Sequence, residues 1–249
     1  MTDASKPLAN RIALVTGASR GIGAALSLAL AQAGAHIVAV ARTVGGLEEL
    51  DDAIRAQGGT ATLVPLDMKD YDGIDRLGGA LYERHGRLDV LVGNAGILGV
   101  LSPLGHVEPK VWDDVIAVNV TANWRLIRSM DPLLRASDAG RAVFLTSGAS
   151  TRAAAYWGPY ATSKAAVDML ARTYAAETAS SPVRVNLVNP GPIRTRMRAT
   201  AMPGEDPETL DTPAQLAAAM LPLCLPSCTE NGRLYDYPTK KWLDYQRPA

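Results

Sequence analysis

Two tyrosines and one lysine stand four apart in TSGASTRAAAYWGPYATSK, residues 146–164: Tyr156, Tyr160 and Lys164. A phenol with a pKa near 10 is a reluctant partner for proton transfer at neutral pH, and a cation on the same helical face draws that pKa down. At about 4 Å in an effective dielectric near 20, a lysine contributes about 4 kcal/mol of Coulomb energy, or up to about three pKa units. Tyr160 has such a lysine at i+4. Tyr156 has only Tyr160 there and precedes Gly158-Pro159, which mark a helix start. Tyr160 is therefore the expected proton donor for a hydride transfer, and Tyr156 an expected pocket-wall or interface residue.

A second group of residues could hold a phosphate. Gly17, Gly21 and Gly23 in TGASRGIG follow the β-branched run RIALVTG and open a long apolar stretch. Glycine there permits positive φ and a close approach of backbone to ligand, and the free N–H groups of a helix start attract a pyrophosphate. The spacing is G-x-x-x-G-x-G, not G-x-G-x-x-G. An NAD site places an acid about 20 residues further on for the ribose hydroxyls, yet no Asp or Glu occurs between Gly23 and Glu48. Arg42, with Thr43 after it, stands in that region, and Arg20 lies within the glycine turn. A 2′-phosphate carries roughly −1.5 to −2 charges by analogy with phosphorylated side chains, which guanidiniums suit and a carboxylate repels. The expected cofactor is NADP(H).

The elements that must position these residues alternate. Runs at 11–17, 36–41, 60–66, 88–94, 141–147, 183–189 and 232–237 read as seven strands, most of them continuously apolar, as a sheet covered on both faces requires. Segments with helical apolar spacing lie between them. The pattern predicts an α/β fold: a single Rossmann-type, doubly wound, seven-stranded parallel sheet with helices on both faces, as one domain over 1–249. Residues 194–211, RTRMRATAMPGEDPETLD, have no clear period and are expected to form a substrate lid, with an ordinary surface loop as the alternative.

Composition excludes other classes. Lysine plus arginine equals aspartate plus glutamate at 25 each, with no basic run, so no nucleic-acid or anionic-membrane footprint is expected. MTDASKPLAN lacks the apolar core of a signal peptide, and the longest apolar stretch is broken by Ser27, Gln32, Gly34 and His36. A cytoplasmic chain acting on a small molecule is expected. Cys224 and Cys228 read as packing residues, and the three histidines are scattered, so no metal site is expected.

Thr16 to Gly23 as T-G-x-x-x-G-I-G, Asn94-Ala95-Gly96, Asn119, Ser147, Tyr160-x-x-x-Lys164 and Pro190-Gly191 together resemble the short-chain dehydrogenase/reductase family, over about residues 10–237. The resemblance implies that Ser147 hydrogen-bonds and polarises a substrate carbonyl, in preference to Ser150, whose spacing from Tyr160 is wrong. It implies that Lys164 also holds the nicotinamide ribose and that Asn119 supports a water in a proton relay. Asp67, with Met68, would meet the adenine. Thr16, Gly17, Ser19, Arg20, Gly21, Ile22, Gly23, Asn94, Ala95, Gly96, Pro190, Gly191 and Ile193 would form the cofactor cleft, with Thr195 on the carboxamide. Two departures stand out. The family's N-N-A-G reads Gly93-Asn94-Ala95-Gly96, which touches strand packing. The chain also resembles the 3-oxoacyl-[acyl carrier protein] reductase branch, but has Asp138 and Ser181 where those enzymes carry basic residues for the carrier.

The expected activity is an NADPH-dependent reduction of a ketone or aldehyde, reversible to alcohol oxidation. The rivals are a 3-oxoacyl-thioester reductase, an NAD-dependent alcohol dehydrogenase, and a catalytically inactive dinucleotide sensor or scaffold, which would have no need of Ser147, Tyr160, Lys164 and Asn119 together. Trp112, Trp124, Met169 and Tyr174 suggest apolar groups on more than one side of their helices, hence a homodimer or homotetramer.

Overall fold

The computed structural model describes residues 6–245, and the seven expected strands pair side by side within it. The expectations about the N-terminal leader and the ends of the domain fall partly on residues 1–5 and 246–249, outside the described residues. In chain order the strands are β1 (Ile12–Thr16), β2 (His36–Ala41), β3 (Thr60–Pro65), β4 (Val90–Gly93), β5 (Arg141–Leu145), β6 (Arg184–Asn189) and β7 (Leu234–Asp236). All seven run parallel, in the spatial order β3-β2-β1-β4-β5-β6-β7. An eighth strand, β8 (Lys241–Leu243), adds antiparallel to β7 and corrects the seven-stranded expectation. It has three residues and no apolar run, so it carries no strand signal of its own and exists because a turn folds it back onto β7.

The helices are α1 (Gly21–Gln32), α2 (Val44–Ala56), α3 (Tyr71–His85), α4 (Pro109–Ile116), α5 (Ala122–Arg135), α6 (Gly158–Glu177), α7 (Arg196–Ala201) and α8 (Pro213–Cys224). In α1 the buried positions are Gly23, Leu26, Ser27, Leu30 and Ala31, one stripe at helical spacing. Ser27 enters that stripe because its hydroxyl donates to Gly23 O at 2.8 Å. Apolar residues of α1, α2 and α8 pack on one face of the sheet, and those of α3, α5 and α6 on the other. Cys224 belongs to the first of these cores, where burial pushes its thiol up to about 12. Among the described residues no helix is long and apolar enough to cross a membrane.

Two anchors hold the end of the sheet remote from the strand C-termini. Asp89, fully buried just before β4, accepts from Ile12 N (2.8 Å), Ser137 Oγ (2.7 Å) and Arg11 Nη1 (3.0 Å). Arg141, also buried, donates to Leu225 O (3.1 Å) and Pro226 O (2.6 Å) and so ties the end of α8 to β5. His36 and His85 meet at the same end, with ring centroids 5.8 Å apart. Replacing Asp89 by Ala leaves Ile12 N and Ser137 without their buried acceptor and removes one of the two carboxylates on Arg11. The expected cost is about 3–5 kcal/mol, read as a lowered urea midpoint with an unchanged slope.

The apolar surface expected on α4 to α6 is smaller than the sequence suggests. Trp124 and Met169 are exposed at 46% and 57%, but Tyr174 is buried at 3% with its hydroxyl donating to Asp131 Oδ1 at 2.8 Å.

Candidate active site

The parallel strands aim their C-terminal ends at one edge, and a cleft of about 470 Å³ opens there. Its phosphate end is built by the turn between β1 and α1. Gly17 has φ +66°, and a Cβ on Gly23 would strike Gly17 O and lie 2.6 Å from Asn94 Nδ2. Arg20, the residue before α1, makes no side-chain cap, and the first turn of α1 carries no acid. The helix N-terminus therefore presents free N–H donors toward the cleft. Ser19, Arg20, Gly21, Ile22, Arg42 and Thr43 line this end, and Asp67 and Met68 line it further along. Arg42 Nη1 stands 3.7 Å from Asp67 Oδ2, a largely exposed pair that leaves both groups available to a ligand. A cradle with room only for glycine, a helix start without a cap and two arginines fit a dinucleotide bearing an extra phosphate.

Four of the expected cofactor residues brace the cleft and do not line it. Thr16 is fully buried: its hydroxyl donates to Val92 O (3.1 Å) and accepts from Asn94 N and Ala95 N (3.0 Å each). It welds β1 to the loop after β4, while Asn94 Nδ2 closes the joint on Thr16 O at 2.7 Å. Gly23, Gly191 and Ile193 also lie behind the lining. Asn94, Ala95, Gly96, Pro190 and Thr195 line it as expected.

At the other end α6 begins at Gly158, and Tyr160 and Lys164 face the cleft one turn apart. Tyr156 is on the outside, 59% exposed with φ +74°, and of the two tyrosines it is Tyr160 that lines the cleft. Lys164 Nζ donates to Leu145 O at 2.7 Å and lies 5.6 Å from the centre of the Tyr160 ring. The lysine does not lower the phenol as the spacing suggests. Burial pushes the Tyr160 pKa up, with the Ser147 hydroxyl beside it pulling back. Burial also draws Lys164 down to about 8, partly offset by Asp168. Desolvation is the leading cause for both groups because each is at least nine-tenths enclosed. A raised phenol remains protonated at neutral pH, which suits an acid.

Ser147 follows β5 and accepts from Ala149 N at 3.2 Å, which aims its hydroxyl at the phenol end of the site; Ser150 faces Asp168 instead. Asn119 is fully buried in a π-turn (Ala117–Thr121) between α4 and α5. Its Oδ1 accepts from Ile97 N (2.8 Å), and its Nδ2 donates to Ile97 O (3.0 Å) and Ser163 Oγ (2.9 Å). Ser163 in turn donates to Tyr160 O at 2.7 Å, so the amide links the loop after β4 to the helix carrying Tyr160. A π-turn inside a helix is uncommon and clusters at functional sites; no residue pattern in AVNVT announces it. The N-N-A-G departure has a packing reason. A side chain at Gly93 would strike Phe144 and lie 2.5 Å from Asn123 Oδ1, and Asn123 Nδ2 donates to Asn119 O at 2.6 Å.

Residues 194–211 form more than an irregular excursion. Thr195 Oγ1 caps α7 by accepting from Arg198 N at 3.2 Å. Arg198 pairs with Glu205 and Arg194 with Glu208, at 2.5 and 2.8 Å. Ile193 bridges to Asp211. Helix α7 is too short to register as a period; cap and ion pairs hold it. Met197, Ala201 and Met202 pack with Leu98, Trp157 and Tyr160, so this segment walls the reactive end with apolar groups. Asp168, one turn beyond Lys164 and 5% exposed, is a carboxyl that the motifs do not single out. Its i+4 spacing from Lys164 on a buried face was the available signal.

Known proteins bear on this arrangement. The family model for short chain dehydrogenase matches residues 11–206. The uncharacterized oxidoreductase YciK of Escherichia coli K12 is 38% identical over 212 residues, covering 84% of each chain. A short chain dehydrogenase of Shigella flexneri 2a complexed with NADP is 36% identical with a TM-score of 0.87, covering 93% of this chain and 98% of that one. A short chain dehydrogenase of Escherichia coli CFT073 complexed with NADPH is 36% identical with a TM-score of 0.86, covering 94% and 99%. With the parallel sheet, the glycine cradle and the motifs at their expected places, the chain belongs to the short-chain dehydrogenase family.

Proposed function

We propose that this chain is an NADPH-dependent oxidoreductase that reduces a ketone or aldehyde, with Ser147, Tyr160, Lys164 and Asn119 as its working set. The observation that carries the reading is the Tyr160 phenol on the lining of the cleft, with the Ser147 hydroxyl beside it and buried Lys164 one turn behind. NADPH, when bound, supplies the hydride. Ser147 and Tyr160 hold the carbonyl oxygen, and Tyr160 delivers a proton to it as negative charge develops. Lys164 provides positive charge near the phenol and a donor for the nicotinamide ribose. Asn119 holds the loop after β4 against α6 and supports the path that returns the proton from solvent. The same groups run alcohol oxidation in reverse.

Arg20 and Arg42 support the 2′-phosphate, and the two NADP-bearing relatives support the same choice. Asp67 and Met68 would meet the adenine, and Thr195 the carboxamide. The apolar wall of Leu98, Trp157, Met197 and Met202 favours a moderately hydrophobic carbonyl compound, with residues 194–211 as its lid. The exposed Trp124 and Met169 favour a homodimer or homotetramer.

Titration calorimetry at one salt concentration tests the cofactor reading. NADPH is expected to bind at least about tenfold tighter than NADH, since each charge-assisted bond contributes about 1.5–3 kcal/mol. Arg42→Ala is expected to remove most of that preference. Equal or tighter binding of NADH by the unaltered chain would overturn the arginine assignment and bring NAD-dependent alcohol oxidation forward.

A further inference from the structure

One carboxamide at the sheet's C-terminal edge holds two functional loops at once. Asn189 ends β6, and the parallel register sets it opposite Asp236 at the end of β7. Asn189 Oδ1 accepts from Gly148 N at 2.9 Å and from Gly191 N at 3.2 Å. Its Nδ2 donates to Asp236 Oδ1 at 2.6 Å, and Thr239 Oγ1 donates to the other oxygen of Asp236 at 2.6 Å. The orientation of the amide follows from this chemistry. The reverse orientation would set an NH₂ against two N–H donors and a carbonyl against a carboxylate.

The two donors belong to different parts of the site. Gly148 immediately follows Ser147. Gly191, at φ +66°, follows Pro190, which lines the cleft. We propose that Asn189 is a positioning residue that locks the Ser147 loop to the loop receiving the nicotinamide end of the cofactor, with Asp236 holding its amide in place. The proposal rests on the placements of Ser147 and of Pro190-Gly191 given above. Pro238 also pins Gly191, where a Cβ would lie 2.5 Å from its ring, but it reaches only that loop. Asn189 touches both through a single atom, so the hydroxyl that orients a carbonyl and the backbone that orients the nicotinamide share one reference point. Geometry of that kind matters because misplacement by about 1 Å can cost about 100-fold in rate.

The side chain can be altered without breaking the strand, since the backbone of Asn189 is separately engaged by Tyr237 N at 3.0 Å. The test uses the full-length chain and two probes, NADPH and 2′,5′-ADP, the latter carrying the adenosine phosphates but no nicotinamide. Asn189→Ala is expected to weaken NADPH by about tenfold and to leave 2′,5′-ADP within about twofold. It also abolishes the NADPH-dependent slowing of amide hydrogen exchange across residues 147–150. Asn189→Asp sets a second carboxylate against Asp236 and weakens NADPH further. The double variant Asn189→Asp with Asp236→Asn restores one amide and one carboxylate with their roles exchanged, and brings NADPH back to within about threefold of the unaltered chain. Unchanged NADPH affinity in Asn189→Ala, equal losses for both probes, or a double variant as weak as Asn189→Asp would each overturn the proposal. An unaltered chain that binds NADPH but not 2′,5′-ADP would instead overturn the cofactor placement, and the shared joint with it.

Discussion

Replacing Tyr160 by Phe is expected to lower turnover by about 10²–10⁴-fold while leaving NADPH affinity within about twofold. The phenol lines the cleft with the Ser147 hydroxyl beside it. Its ring packs against Trp157 with centroids 6.0 Å apart, and phenylalanine preserves that contact. The variant therefore removes a hydroxyl from the reacting end and little else. The preference for NADPH expected from Arg20 and Arg42 makes reduction of a carbonyl the direction to assay first. Steady-state kinetics against a panel of ketones and aldehydes, with NADPH fluorescence titration in parallel, provides the check. Turnover in Tyr160→Phe equal to that of the unaltered chain would sink the assignment, and loss of NADPH binding would point to damage to the cleft.

Replacing Lys164 by Met should separate activity from stability. The ammonium is 5% exposed and drawn down to about 8 from 10.5, chiefly by desolvation. A folded-state pKa below the unfolded value means that the folded chain bears the cost of a buried charge at pH 7. The cost is fully present below about pH 8 and is relieved as pH rises from about 8 toward 10.5, where the unfolded chain binds more protons. Methionine removes that cost, although Leu145 O loses its donor. The net gain is on the order of 1–3 kcal/mol at pH 7, or about 2–12 °C in Tm for a chain of this size. Turnover is expected to fall by about 100-fold or more as the donor for the nicotinamide ribose is lost and the reacting carbon is misplaced. Scanning calorimetry at pH 7 and pH 9.5 decides the matter: the advantage of the methionine variant should be larger at pH 7. A variant that melts below the unaltered chain at pH 7, or an advantage that grows with pH, would contradict this account.

How much of this was legible beforehand depends on whether the signal was local. Seven parallel strands could be read because most are β-branched runs that must be apolar on both faces. Strand β8 could not, because three residues become a strand only when a turn returns them to β7. Helix α7 falls in the same class, since its order comes from Thr195 and from ion pairs across the segment.

The site divides in the same way. Residue types and spacing determined the family, the glycine cradle, the arginines in place of an acid, and the choice of Tyr160 over Tyr156, because each rests on covalent neighbours or on one helical turn. Tertiary structure decided which residues line the cleft and which brace it, leaving Thr16, Gly23, Gly191 and Ile193 off its lining. It also reversed the expected direction of the Tyr160 pKa. A four-residue spacing specifies that a lysine is near. Only the packing of Leu98, Trp157 and α7 over the phenol, and the burial of the lysine with it, decides whether charge or desolvation prevails.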